Sequence, residues 1–322
     1  TSAAGGGGIF SAGETLIDQS YISDNHAGGG GGGIASTHSL WLAATTVTGN
    51  TSGSDGGGIH ATTDGSMAVS ISTSSVSLNT ASLDGSRGGG IFASGDTMLT
   101  NSTVSGNQLL GAGADGGGLF VSAGVVVLHS STVAQNVASR VGGGVLVPFN
   151  HQSPLILRSS ILAQNSDSGI APNFRGILDL NMLMVDFSLI DDNTGTTLPE
   201  SQTSSLRGNL VGRPQPAGSG LIDAGLDTFT VIGGAQVHPL LEQSPAIDSG
   251  DEAMPPASDQ RGAPFVRVSG QAIDKGAFER QPAVEPMILW DAPAAIAVGA
   301  ALDDSTLNAT ARTPGTFTYT PP

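Results

Sequence analysis

A run of glycines followed by one aliphatic residue recurs at Gly5 to Ile9, Gly31 to Ile34, Gly56 to Ile59, Gly88 to Ile91, Gly116 to Leu119 and Gly142 to Val145. A second motif, Ser or Thr, then any residue, an aliphatic residue, two further residues and Asn, alternates with it: "SYISDN", "TTVTGN", "SSVSLN", "STVSGN", "STVAQN", "SILAQN" and "SLIDDN". Its asparagines are Asn25, Asn50, Asn79, Asn107, Asn136, Asn165 and Asn193, separated by 25, 29, 28, 29, 29 and 28 residues. Glycine-rich linkers carry no period, whereas repeats of 20 to 50 residues mark stacked architectures. This periodicity excludes an ordinary globular core.

Aligned on the asparagines, the chain shows apolar columns spaced as a strand requires, with side chains alternating between two faces. One column is Ile22, Val47, Val76, Val104, Val133, Leu162 and Ile190; five residues earlier runs Ile17, Leu42, Ile71, Leu99, Leu128, Leu157 and Val185. Two before that lie Thr15, Leu40, Val69, Thr97, Val126, Leu155 and Leu183, and the glycine motif adds Ile9, Ile34, Ile59, Ile91, Leu119 and Val145. The neighbouring column, Phe10, Ala35, His60, Phe92, Phe120 and Leu146, accepts a histidine and is expected to face out. No 3.6-residue period competes. Three strands per coil, in repeats of 25 to 29 residues, predict an all-β parallel β-helix over residues 1–215.

In such a coil each strand pairs with its equivalent about 4.8 Å above and below, so like stacks on like. The asparagines are then expected to form a hydrogen-bonded ladder at one corner. The glycines suit a corner that needs positive φ or close backbone approach. Length variation is confined to the stretch after each Asn, such as "TASLDGSR", and to the stretch after the glycine strand, such as "VPFNHQSP". Both read as corner loops, the positions where recognition is carried.

The formal charge of −16, with 11 basic against 27 acidic residues, opposes binding to nucleic acid or an anionic membrane surface. No apolar run approaches the 18 residues of a membrane-spanning helix. Cysteine is absent, which is common in exported bacterial proteins. The chain opens at Thr1 almost on a glycine strand, so a processed or trimmed piece of a longer polypeptide is expected.

Beyond Asn193 the repeat fades into the turn-rich "TGTTLPESQTSSLRGNLVGRPQPAGSG", and "SPAIDSGDEAMPPASDQRG" from Ser244 and "DKGAFER" from Asp274 follow. This pairing resembles the choice-of-anchor Q segment that ends many bacterial surface β-helix proteins, with Lys275 standing where the family pattern has an aliphatic residue. The repeats are similar to those of polymorphic outer-membrane proteins and other pectate-lyase-like β-helices, which implies a right-handed coil. The tail from Pro286, with "GTFTYT" near its end, resembles the first half of a bacterial immunoglobulin-like repeat. The expected divisions are the β-helix at 1–215, a β-rich cap at 216–282 and a partial immunoglobulin-like segment at 283–322.

The acids and histidines are the side chains that could carry chemistry. Asp18, Asp24, Asp55, Asp64, Asp84, Asp96 and Asp115 fall mostly in turn stretches and form no column, and the adjacent Asp191 and Asp192 are expected to point to opposite faces of a strand. The paired carboxylates of a glycoside hydrolase and the base-plus-calcium set of a lyase are both missing from this pattern. His26, His38, His60, His129, His151 and His238 sit at different phases with no metal-binding spacing. The densest polar set is Asp248, Asp251, Asp259, Arg261 and Asp274, expected to form a salt-bridge and turn network closing the cap. No cofactor is expected; the competing reading places Ca²⁺ on Asp248 and Asp251.

The expectation is a non-enzymatic, extracellular structural or adhesive element of a bacterial surface or matrix protein, without nucleic acid partner or membrane insertion. Strand addition through Phe317 and Tyr319 would join copies head-to-tail into filaments or join other surface proteins. The alternative is a β-helix that binds or degrades polysaccharide.

Overall fold

A computed structural model describes residues 2, 5–148, 154–175, 182–203, 207–251, 253, 255–282, 288–289 and 309–311, with backbone alone for 64–66 and 311. The chain divides into two compact units, Thr1–Gln281 and Pro282–Pro322. Among the described residues there is no α-helix, and the first unit is a parallel β-solenoid.

Its largest sheet has 12 strands, in which the glycine strands Ile9–Ser11, Ile34–Ser36, Ile59–Ser72, Ile91–Thr100, Leu119–Val121, Val145–Leu146 and Phe174–Arg175 pair in that order. The second strands of the coils, such as Thr15–Asp18, Leu40–Ala43 and Val126–His129, join the same sheet because Ile59–Ser72 and Ile91–Thr100 run through both positions. The third strands, from Tyr21–Ser23 to Leu210–Val211, form an eight-stranded sheet. A four-stranded sheet follows the Asn corner in early coils, made of His26–Ala27, Thr51–Ser52, Thr80–Ala81 and Gln108–Leu109. This short fourth strand adds to the three that the columns predict, since two residues are too few to show alternation.

Register is like on like: Ile34 pairs with Ile59, Val76 with Val104 and Leu128 with Leu157. The inward columns form one core, with Leu40, Val47, Ile59, Val76, Ile91, Val104, Leu128 and Val145 all fully buried. In the first coil Ile9 and Ile17 are only half-buried.

Each coil turns at left-handed residues. In one of them Gly56, Thr73 and Leu78 have φ of 67°, 46° and 55°. Only the first corner is marked by glycine in coil after coil; the others fall on residues as different as Gln19, Ala44, Asn101 and Phe187, with glycine at Gly49 and Gly106. The glycine triplet has three separate causes. Gly56 supplies positive φ, a Cβ on Gly57 would stand 2.2 Å from the Gly89 carbonyl oxygen, and one on Gly58 would stand 2.8 Å from Asn79 Nδ2.

The column expected to face out is corrected by burial. It does turn away from the central core, yet Phe92, Phe120 and Leu146 are only 6%, 5% and 6% exposed. The rings stack along the coil axis, His60 on Phe92 at 4.9 Å and Phe92 on Phe120 at 5.7 Å, and the Arg87 guanidinium covers the last two at 4.9 and 5.3 Å. In the first coil Phe10 remains 63% exposed.

Residues 224–251, 253 and 255–281 lie along the side of the solenoid as a strap over the outward face of the eight-stranded sheet. Gln236 accepts from Ser77 at 2.6 Å, His238 meets Ser105 at 2.8 Å, Gln260 bonds Thr103 and the Ser74 carbonyl, and Ala277 N–H donates to Thr132. An apolar seam of Ala134, Ile161, Ala163 and Leu189 from the solenoid with Leu226, Val237, Leu240 and Phe278 from the strap continues this contact. Among the described residues of the strap, regular strand is limited to the hairpin Thr230–Ile232 with Ala235–Val237. Near the last coil, Leu198 packs on the core. In the second unit Ile288–Leu289 pairs antiparallel with Thr310–Ala311, while Phe317 and Tyr319 fall outside the described residues.

Candidate functional site

The asparagine corner is the most regular polar feature. Nδ2 of Asn25, Asn50, Asn79, Asn107 and Asn136 donates to Oδ1 of the next coil's asparagine, ending at Asn165, at 2.9 to 3.0 Å. From Asn50 onward the second N–H of each carboxamide reaches a carbonyl of the coil behind, Ile22, Val47, Val76, Val104 and Val133 in turn. Buried amides are costly unless bonded, and this arrangement bonds them at every level.

Asn193 departs from the series. Asn165 donates instead to Asn173, whose Nδ2 donates to Asp191, while Asn193 turns to the Leu198 carbonyl. The physical reason lies in the corner: the residue before each ladder asparagine, from Asp24 to Gln164, is left-handed, and Asp192 is not. A second ladder stands at the first position of the Asn motif. There the backbone N–H of Thr45, Ser74, Ser102, Ser131 and Ser160 donates to the hydroxyl one coil on, of Ser74, Ser102, Ser131, Ser160 and Ser188. The recurring Ser or Thr of the motif is the signal that marks it.

The cluster from the end motifs sits in the strap. Asp259 and Arg261 form an ion pair at 2.6 Å with side chains 0% and 4% exposed, and Arg261 also donates to the Glu279 carbonyl. The Arg261 guanidinium is sandwiched between Phe265 and Phe278 at 3.9 and 4.0 Å. Asp274 accepts from the backbone N–H of Asp248 and Arg280, and burial holds its carboxyl above the ordinary range. Asp248 Oδ1 accepts from Gln271 and Ala272 N–H; Asp251 donates its own N–H to Ser159 and accepts from Ala253. Both calcium candidates thus act as turn acceptors, and among the described residues no group of three or more His, Asp or Glu converges as a metal set.

Three further residues of this region lie outside the expected salt-bridge network, although Glu279 falls within the "DKGAFER" motif. Glu279 accepts from the N–H of Ser269 and Asp274, with burial pushing it up to about 7. Arg267 is wholly buried and donates to the Asp274 and Gly276 carbonyls, with its affinity for a proton lowered by burial. His238, held down by burial, has Nδ1 3.0 Å from the Asp227 carbonyl oxygen, so Nδ1 carries the proton and Nε2 accepts from Ser105.

Lys275 is also wholly buried, and desolvation pushes it down to about 8. Its ammonium donates to the Ser249 carbonyl and has no ion-pair partner among the described residues. Lys275→Ile is therefore expected to raise the melting temperature at pH 7, since an apolar side chain in the same place has no ammonium to desolvate. The sign with pH follows from the depressed value. Between about 8 and the ordinary 10.5 the unfolded chain holds more protons, so the parent gains stability as pH rises and the gap to the variant closes. Melting curves at pH 7 and pH 10 check this; a gap that is absent at pH 7, or unchanged at pH 10, refutes it.

A groove of about 670 Å³ opens beside the ring column, lined among others by Arg87, Asp115, Phe120, Arg140, Leu146 and Arg175. Arg87 pairs with Asp55 at 2.6 Å, and Arg140 pairs with Asp115. Arg175 continues the ring column itself, in register with Leu146. The remaining histidines gather no common partner: His60 and His129 are both held down by burial, and His151 lies outside the described residues.

No protein-family model, curated protein or solved structure matches this chain. Asp191, pushed up to about 6 by burial, accepts from Asn173 and from Gln164 N–H and so ends the asparagine ladder. Glu279 and Asp274 are fastened inside the strap. The carboxyls with raised proton affinity are thus the ones that hold backbone in place.

Proposed function

We propose that the chain is a non-enzymatic structural and adhesive element of an extracellular or bacterial-surface protein, a rigid spacer whose side faces carry recognition. The observation that carries this reading is the unbroken carboxamide ladder from Asn25 to Asn173, a feature that stiffens the stack along its axis. The perturbed carboxyls support it, because Asp191, Asp274 and Glu279 each accept two N–H donors of the chain itself. The surface setting rests on the likeness of the Ser244 and Asp274 motifs to the choice-of-anchor Q segment, and head-to-tail association through residues 286–322 belongs to the same reading.

Incubation with acidic and neutral polysaccharides is expected to release no reducing ends and no unsaturated products. Turnover of either kind overturns the non-enzymatic reading. On the same preparation, light scattering at high concentration with and without residues 286–322 tests the assembly: particles that persist after the deletion, or a full chain that stays monomeric, exclude the tail as connector.

A further inference from the structure

Two loops leave the same corner of successive coils, residues 193–199 after Leu189–Ile190 and residues 213–217 after Leu210–Val211, two strands that pair with each other. Between the loops lies a cavity of about 620 Å³, within the size range of small-molecule sites. Its walls are fixed from inside. Asn193, the expected seventh rung of the ladder, bonds the Leu198 carbonyl at 2.8 Å, Thr196 Oγ1 donates to the Asn193 carbonyl, and Leu198 packs on the core. On the other wall Arg213 and Gly220 exchange both backbone bonds at 2.9 Å, and Gly218 N–H donates to the Pro214 carbonyl. The Arg213 stem lies against Gly218, where an added Cβ would stand 2.4 Å from that of Arg213.

Four side chains on this rigid frame are unspent. Thr194, Thr197, Arg213 and Gln215 line the cavity, and their side chains enter no hydrogen bond or ion pair with the described residues. Glu200 stands near enough to feel the charge of Arg213, yet its Oε1 is taken by Gln202 and the Ser219 N–H. The match to a ligand is therefore one of hydrogen bonds and not of net charge. A guanidinium has five N–H groups and no acceptor, and it fits a carboxylate through paired bonds. Threonine hydroxyls and the Gln215 carboxamide both donate and accept, as sugar hydroxyls do. Leu198, Pro199 and Pro214 add an apolar wall for C–H faces. No aromatic ring is among the lining residues to stack a nucleobase, and one guanidinium is too few for a polyphosphate.

We infer that this cavity binds a sugar acid, its carboxylate on Arg213 and its hydroxyls on Thr194, Thr197 and Gln215. The inference deepens the adhesive part of the reading above and rests on it.

The test is calorimetric titration of the full chain with the methyl glycoside of N-acetylneuraminic acid, its carboxyl-reduced neutral form, gluconate, acetate and an aspartyl tripeptide. The glycoside or gluconate is expected to bind at least about tenfold more tightly than both the neutral form and acetate, the worth of a charge-assisted hydrogen bond. Whichever of the two acids binds distinguishes a glycan end from an open-chain acid as the source. Arg213→Gln is expected to bring binding down to the level of the neutral form with an unchanged melting midpoint, because that guanidinium bonds nothing on the chain. Gln215→Glu, nearly the same in shape, opposes the carboxylate and is expected to weaken binding by a similar factor. Equal binding of the neutral form or of acetate, no binding of either acid at millimolar concentration, tighter binding of the tripeptide, or parent affinity in either variant each overturns the inference. The glycoside is recovered afterwards: intact material upholds both readings, whereas cleaved material overturns the non-enzymatic function and leaves the cavity standing. Loss of the cavity in turn leaves the spacer reading to the polysaccharide and scattering tests above.

Discussion

Val104→Asp is expected to remove several kcal/mol of stability, a large share of the roughly 5 to 15 kcal/mol that holds an ordinary domain together. Val104 is fully buried between Val76 and Val133 of the neighbouring coils, and its carbonyl receives the Asn136 side chain. A carboxylate there would have neither water nor a cation. In a stacked solenoid each coil rests on its two neighbours, so the damage falls on both interfaces of the coil at once. Thermal melting followed by far-ultraviolet circular dichroism, with amide exchange read across residues 74–136, measures it. A midpoint within about 2 °C of the parent would show that position 104 does not belong to the core.

Arg261→Ala is expected to loosen the strap at a cost of about 3 to 5 kcal/mol, the usual penalty for leaving a buried charge without its partner. Asp259 is fully buried and would keep its N–H contacts from Arg261 and Glu279 but lose the guanidinium. Phe265 and Phe278 would also lose the group packed between them. Limited proteolysis within residues 245–270 and binding of a hydrophobic dye to the uncovered Ile161 and Leu189 should both increase, while amide exchange of the early coils stays slow. Unchanged melting and unchanged proteolysis together would rule out this pair as the fastening.

The solenoid was legible because its contacts repeat: a residue's neighbour lies one period away, so Val76 and Val104 declare each other in any alignment of the chain with itself. The strap was not, since Gln236 meets Ser77 and Gln260 meets Thr103 only once each across about half the chain. The ladder's final step was hidden for a related reason: Asn173 lies only eight residues beyond Asn165, at a glycine-strand corner, and breaks the period that pointed to Asn193. Phe92 and Phe120 were placed on the outer face by alternation, which says which way a side chain points but not what then covers it. The arginine groove carried no motif, because Arg87, Arg140 and Arg175 occupy three different positions within their repeats and meet only when the coils are stacked.

The asparagine ladder also gives the stack a direction. Every carboxamide turns one N–H toward later coils and its oxygen toward earlier ones, so this row of donor-to-acceptor bonds runs one way along the stack. The donor end of this row arrives at Asn173, and the carboxylate of Asp191 sits against it. Between the ends each asparagine asks the same of its neighbours, an acceptor ahead and a donor behind. A coil duplicated in the middle of the row would meet both requests from its own copies, so the length of such a rod can change by whole repeats while the fittings at either end stay as they are.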